Sequence, residues 1–230
     1  ADVSVQAIIH SLSEIIQYYG RNYPNREFYL LGHSWGGLLG LYAIQDPVVR
    51  EHIDHFFCLN PWIETNKDRV MKGVLDQVSI IAESNKSIRP NLNKIIDEYS
   101  KTGFWIDQYL VKYGYDSNSL FTDWDYHENL VRNSSSYTPN DIERYFRGME
   151  FSEYTYQDVV KKYKPSRDIE NLHINVTFIS SSHDLITPKY FLEEFISGVQ
   201  GNYVHIEIDN ANHYSYLDVP EEILNILLQK

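Results

Sequence analysis

Basic residues are scarce in this chain: 20 Lys and Arg stand against 32 Asp and Glu, a formal net charge of −12. A surface so poor in cations does not neutralise a phosphate backbone or an anionic bilayer, so neither nucleic acid nor a membrane is expected as a partner. Cysteine is nearly absent. The one thiol, Cys58, cannot close an internal disulfide, and its place in the apolar run Phe56-Phe57-Cys58-Leu59 predicts a small buried side chain. A lone cysteine also fits the cytoplasm better than an oxidising compartment. No apolar stretch approaches the roughly 20 residues that a membrane-spanning helix needs, and the start, Ala1-Asp2-Val3-Ser4, lacks the charged-then-apolar build of a secretion signal. No H-x-x-x-H, paired C-x-x-C or G-x-G-x-x-G occurs, so no metal and no dinucleotide or other cofactor is expected. What the chain has is core material: 43% hydrophobic and 14% aromatic content over 230 residues fills one sizeable domain.

The first 60 residues alternate between helical and strand patterns. Val5, Ile8, Ile9, Leu12, Ile15, Ile16 and Tyr19 recur at helical spacing, with Gly20 expected to end that helix. Phe28 to Leu31 is a short continuous apolar run, which predicts a strand buried on both faces. A helix from Leu38 to Ile44 and a second buried strand from Ile53 to Leu59 complete the series that builds a parallel α/β sheet. From Pro61 to about Ser166 the pattern changes to helical stretches, over 70–81, 92–99 and from about Ile142, with no convincing buried strand. Alternation resumes with a β-branched strand from Ile174 to Ser180 and a helix through Ile196, with Thr187-Pro188 as its cap and first position. Val204, Ile206 and Ile208 then alternate as a strand near a sheet edge, and Pro220 to Leu228 reads as a closing helix. Three segments follow: 1–60 and 167–230 as two parts of one α/β core, with 61–166 inserted between them.

The sharpest chemical signal is Gly32-His33-Ser34-Trp35-Gly36-Gly37, a G-x-S-x-G match between a predicted strand and a predicted helix. A serine on so tight a turn projects its hydroxyl above the sheet, and small residues two before and two after it are expected because the backbone packs closely there. The helix that follows aims its first amides at the same spot, which makes the Trp35 N–H a candidate oxyanion donor. A serine hydroxyl needs a base to take its proton. Of nine histidines, His213 lies in the polar loop Asp209 to Ser215 directly after the last strand, where a side chain can reach back over the sheet. For the carboxylate that orients it, Asp184 is the only acid in the loop after the preceding strand, with Asp209 and Asp218 competing from nearer His213.

With serine, acid and histidine in that chain order, the sequence resembles the α/β-hydrolase family, and within it the capped branch that includes proline iminopeptidase-like enzymes. The resemblance covers Phe28 to Ala43 and Asn175 to Leu217, and it implies that 61–166 is a helical cap on a mostly parallel hydrolase sheet. It implies a Ser34, Asp184 and His213 triad acting by acyl transfer to water. Asp141-Ile142-Glu143-Arg144-Tyr145-Phe146 resembles a cap motif in which a glutamate receives the substrate's free amino terminus. The match departs at Arg144, and the alternative for Glu143 is a first-turn glutamate complementing the helix dipole. Trp124, Trp105, Tyr145, Phe146 and Tyr154 are candidates to line a pocket under the cap, with Glu150 and Glu153 adding negative charge, although aromatics at helical spacing more often pack the cap itself.

The family's second oxyanion donor comes from a loop well before the nucleophile, and only 33 residues precede Ser34 here. The expectation is a chain lacking N-terminal strands, in which a missing segment or an oligomer partner covers the Phe28 to Leu31 edge. The substrate class implied is a short peptide with a free N-terminus. A small-molecule carboxylester is the second reading, and an inactive fragment or binding module without a full oxyanion hole the third.

Overall fold

The computed structural model describes residues 4–102, 124–148, 162–209 and 211–229. By internal contacts the chain divides into two compact units, one of Ala1–Thr65, Phe146–Ser180 and Lys189–Glu207, the other of Asn66–Tyr145, Ser181–Pro188 and Ile208–Lys230.

In the first unit, α1 (Val5–Asn22) starts where the Ser4 hydroxyl accepts the Ala7 N–H, satisfying an amide that has no partner inside the helix. Its buried stripe is Val5, Ile9, Ser13, Ile16 and Gly20. Spacing of four, four, three and four residues gives a face narrower than the apolar pattern suggested. Ile15 and Tyr19 fall on its flank and are exposed, at 55% and 48%. The helix also runs through Gly20 rather than ending there, because the glycine answers a packing need: a Cβ at that position would lie 2.5 Å from the His52 ring.

Four strands follow one another in chain order across a single sheet: β1 (Tyr29–His33), β2 (His55–Leu59), β3 (Asn171–Ser181) and β4 (Gln200–Ile208). β1 pairs parallel with β2 from Tyr29↔His55 to His33↔Leu59, and β2 pairs parallel with β3 from His55↔Asn175 to Leu59↔Ile179. The α/β class read from the sequence is the class observed. β2, flanked on both sides, is buried from Phe56 to Leu59. β1 ends the strand order, with β2 as its one described neighbour, and leaves Tyr29 37% and Leu31 50% exposed, so it is less buried than its continuous apolar run alone suggested. β4 ends the other side of the order, in keeping with its alternating pattern.

Helix α2 (Trp35–Ala43) follows β1, and the short α3 (Pro47–Arg50) is capped by the Asp46 carboxylate, which accepts the Val48 N–H. Val5, Ile9 and Ala43 join α1 to α2 beside Trp35, Leu39 and Tyr42. Ile16, Val49 and Ile53 make a second cluster with Phe28, Leu30 and Ile174. Gly40 lets α2 approach β2, for a Cβ there would meet the ring of the fully buried Phe56 at 2.4 Å.

In the second unit, α4 (Lys67–Ser84) is capped by the Asn66 side chain, which accepts from the Asp68 and Arg69 N–H groups. With α5 (Leu92–Thr102) it encloses Val74, Val78, Ile81, Ile88, Ile95 and Tyr99, and Leu185 joins that core. Next come α6 (Trp124–Arg132) and α7 (139–148). The latter opens three residues before the expected Ile142, because Thr138 and Asp141 cap it reciprocally: Thr138 Oγ1 accepts the Asp141 N–H at 3.2 Å, and Asp141 Oδ2 accepts the Thr138 N–H at 3.0 Å. In the first unit, α8 (Pro165–Asp168) precedes β3 and α9 (Lys189–Gly198) precedes β4. The second unit closes with α10 (Ser215–Asp218) and α11 (Pro220–Leu228). Among the described residues of 61–166, every regular element is a helix. No described helix is long and apolar enough to cross a membrane.

The approach at Gly40 predicts that Gly40→Ala, normally helix-favouring by about 1 kcal/mol, instead destabilises by about 1–3 kcal/mol through overpacking. Gly198→Ala, whose Cβ meets nothing within 4 Å, is the matched control and leaves stability level or slightly raised. Urea unfolding of the two variants checks the sign.

Candidate active site

Ser34 stands between β1 and α2 with φ 54° and ψ −118°. Only it and Asn60 have positive φ among the described non-glycine residues. An L-residue held there costs on the order of 1–3 kcal/mol unless its surroundings hold it in place. The bracing is visible in the first unit. The Ser34 N–H donates to the Leu59 carbonyl at 3.0 Å, extending the β1–β2 ladder into the turn, while its carbonyl accepts from the N–H groups of Gly37, Leu38 and Trp62 at 3.0, 3.2 and 3.0 Å. Asn60, the other positive-φ residue, turns the chain just after β2 and donates its N–H to Ile179 of β3 at 2.8 Å.

The glycines divide differently from the expectation of two symmetric small neighbours. A Cβ on Gly32 would lie 2.4 Å from the Gly36 carbonyl oxygen, and one on Gly37 would lie 2.8 Å from Pro61. A Cβ on Gly36 meets nothing within 4 Å. The crowded positions are thus two before and three after the serine, because the turn folds back over Gly32 and α2 rests on the Asn60-Pro61 turn through Gly37. Cys58 is buried as expected, its Sγ 3.8 Å from the Gly37 carbonyl oxygen, and burial pushes its thiol well up, away from thiolate chemistry.

The Ser34 side chain makes no capping bond to α2, although it occupies the N-cap position. Trp35 is the first residue of that helix, where amides point along the axis away from the ladder and the helix dipole favours negative charge. Its ring packs 6.0 Å from that of Trp62. The amides of that first turn are fixed in direction by the helix.

In the second unit, Asp184 and His213 come together. His213 Nδ1 lies 2.8 Å from Asp184 Oδ2, and the two residues are 5% and 2% exposed. An ionised carboxylate is only an acceptor, so the imidazole donates through Nδ1; in a neutral ring that leaves the lone pair on Nε2, the tautomer a general base needs. Asp184 is held on every side. Its Oδ1 accepts the Ile186 and Thr187 N–H groups, both at 2.8 Å, and its Oδ2 accepts the Thr187 hydroxyl at 2.7 Å. Burial pushes this carboxyl up, but the His213 ring and the Thr187 donors outweigh it and hold it below the usual aspartate range. Thr187 thus clamps the acid, two residues before α9 starts at Lys189. The sequence carries that clue as an Asp-x-x-Thr turn pattern.

The other acids near His213 have other places. Asp218 Oδ2 accepts the Asn212 N–H at 2.8 Å. Asp209 faces His183, where it raises an imidazole that burial lowers further. Glu143 lies exposed on α7 with Tyr145, 42% exposed, and the ring of Tyr145 adds to the raised phenol of Tyr216. Trp105, Glu150, Glu153, Tyr154 and the side chain of Trp124 lie outside the described residues. No group of three or more His, Cys, Asp or Glu suited to a metal occurs among the described residues.

Known proteins agree with this architecture. The fold matches a proline iminopeptidase from Mycobacterium smegmatis with a TM-score of 0.59 at 16% identity, over 98% of this chain and 70% of that one. MGS-MChE2, an α/β hydrolase enzyme from a lagoon-sediment metagenome, matches at 0.53 and 14% identity, over 99% and 69%. A hydrolase from Pseudomonas aeruginosa PA01 matches at 0.52 and 15%, over 96% and 70%. At these identities the likeness is one of fold. No curated protein is a sequence match. The family described as alpha/beta hydrolase fold matches residues 7–220, a span that holds the strained serine turn and the Asp184–His213 pair, and the chain belongs to that family.

Proposed function

We propose that the protein is a serine hydrolase in which Ser34 is the nucleophile, His213 the general base and then acid, Asp184 the group that orients His213, and the Trp35 N–H one oxyanion donor. The observation that carries this reading is the buried Asp184–His213 hydrogen bond of 2.8 Å, which fixes Nε2 as the basic nitrogen. In the proposed reaction the Ser34 hydroxyl proton passes to His213 Nε2, Oγ adds to the substrate carbonyl carbon, and the oxyanion collects on the turn amides. The bond to the leaving group then breaks as Nε2 returns the proton to it. Water repeats the sequence on the acyl-enzyme and frees Ser34.

For the substrate we infer an acyl donor with a free amino terminus, with Glu143 as the amine-binding group and Trp124 and Tyr145 beside it under a helical cap formed by 61–166. The basis is the cap motif at 141–146, Glu143 being exposed on α7. A simple carboxylester is the competing substrate. A panel of aminoacyl arylamides and acyl esters separates them: arylamide turnover that falls in Glu143→Gln supports the peptide class, and ester turnover without arylamide turnover removes it.

Fluorophosphonate labelling tests the nucleophile, with labelling expected in the parent chain and lost in Ser34→Ala. Absence of parent labelling overturns the acyl-enzyme reading. Asp184→Asn leaves the ring in the wrong tautomer and is expected to lower kcat by about four decades, the loss seen when such an aspartate is changed in a serine hydrolase.

The same variant has a pH signature in stability. Because the folded Asp184 titrates below its ordinary value of 3.8, its contribution is complete above the unfolded value and disappears as pH falls through the folded one. Asp184→Asn therefore destabilises by about 1.5–3 kcal/mol at pH 7, and the gap from the parent narrows below about pH 4. Urea midpoints at pH 7 and pH 3 measure it.

A further inference from the structure

The loop that carries His213 is tied down at both of its ends by groups the proposed reaction does not use. Before the histidine, the Ala211 carbonyl accepts the His183 N–H at 3.0 Å, which joins the loop to the turn bearing Asp184. Next to it, Asp218 Oδ2 accepts the Asn212 N–H at 2.8 Å, and the Asn212 side-chain Oδ1 accepts the Tyr214 N–H at 2.8 Å. The backbone on either side of His213 is therefore fixed by one carboxylate and one amide in series. The carboxylate is itself placed by α10, where the Asp218 N–H donates to the Tyr214 carbonyl at 3.2 Å and the Leu217 N–H to the same oxygen at 2.7 Å. From Ala211 to His213 the loop is buried, with Asn212 4% and His213 5% exposed.

Asp218 is an awkward residue to keep at this position. Burial pushes its carboxyl up to about 6, and the Asn212 N–H pulls the other way. Its Oδ1 is buried with no hydrogen-bond partner among the described residues. An apolar side chain would be easier to bury, yet it would leave the Asn212 N–H without its acceptor and release the first of the two ties.

We propose that Asp218 is the positioning residue for the His213 imidazole, holding the Asn212–Tyr214 backbone so that Nδ1 stays on Asp184 and Nε2 stays aimed for proton transfer. The inference rests on the acyl-enzyme reading above for its consequence in rate, but its geometric content stands apart from it. Asp184 fixes the tautomer and Asp218 fixes the place of the residue that bears the ring.

The test compares Asp218→Ala, which removes the acceptor, with Asp218→Asn, which keeps an oxygen for the Asn212 N–H. Asp218→Ser, too short to reach that amide, replaces the alanine variant if the latter does not fold. Three readouts are taken on the full chain: hydrogen exchange at the Asn212 and Tyr214 amides, the nitrogen shifts of the His213 ring, and the rate of fluorophosphonate labelling alongside kcat and KM. In Asp218→Ala both amides are expected to exchange at least tenfold faster and the ring shifts to move toward a tautomer mixture. Labelling and kcat are expected to fall by about tenfold or more, as small misplacements of a reacting group do, with KM within threefold. Asp218→Asn is expected to restore all three to within about threefold.

Unchanged exchange and ring shifts in Asp218→Ala overturn the proposal. So does faster exchange with the ring shifts and labelling left as in the parent, which would make Asp218 a local brace only, and so does an asparagine variant as impaired as the alanine one. If the parent chain itself does not label, the acyl-enzyme reading fails, and the exchange and ring-shift comparison decides the role of Asp218 without it.

Discussion

Everything at the Ser34 turn follows from one constraint, an L-amino acid held at φ 54° between a strand and a helix. No isolated dipeptide stays there. The turn persists because its N–H prolongs the β1–β2 ladder and its carbonyl accepts three amides, two from the first turn of α2 and one from Trp62 beyond β2. Those bonds exist only if β2 ends where it does and the chain then turns at Asn60, whose own φ is 42°. Strand register, the close approach at Gly32 and the contact of Gly37 with Pro61 are thus parts of one solution to a local conformational problem.

The second unit solves a different problem, that of keeping a charged carboxylate where water cannot reach it. Asp184 does so with four donors, three of which come from the next three residues of its own turn. Those local donors leave the histidine to complete a nearly satisfied shell. Its ring is then directed by the carboxylate on one side and by the loop ties of Asn212 and Asp218 on the backbone side.

Much of this was legible in the sequence, because some patterns depend on neighbours only a few residues away. The alternation of apolar runs with amphipathic stretches gave the parallel sheet and the edge place of its last strand, and the crowding of glycines around Ser34 marked the turn. Features that depend on distant chain were misread. Gly20 resembles a helix stop until His52 is seen against it, and Ile15 and Tyr19 fit an apolar face until the buried stripe proves to be one residue wide. The run Tyr29-Leu30-Leu31 by itself signals a strand buried on both faces; its exposure follows from the place of β1 at the end of the strand order, where the short stretch of chain before Ser34 leads one to expect an uncovered edge. Thr187 looked like a helix cap, whose oxygen would accept amide protons, and its hydroxyl is seen to donate to the Asp184 carboxylate.

The burial of Cys58 gives the fold its own reporter. Cys58 is the register partner of Gly32 on β2 and its sulfur lies against the carbonyl of Gly37, so through backbone and side chain respectively the residue touches both glycines that the turn crowds. A reagent that modifies thiols reaches that atom only when strand, turn and helix part. The single sulfhydryl of the chain is therefore a built-in reporter of the opening of the Ser34 turn, by local or global unfolding.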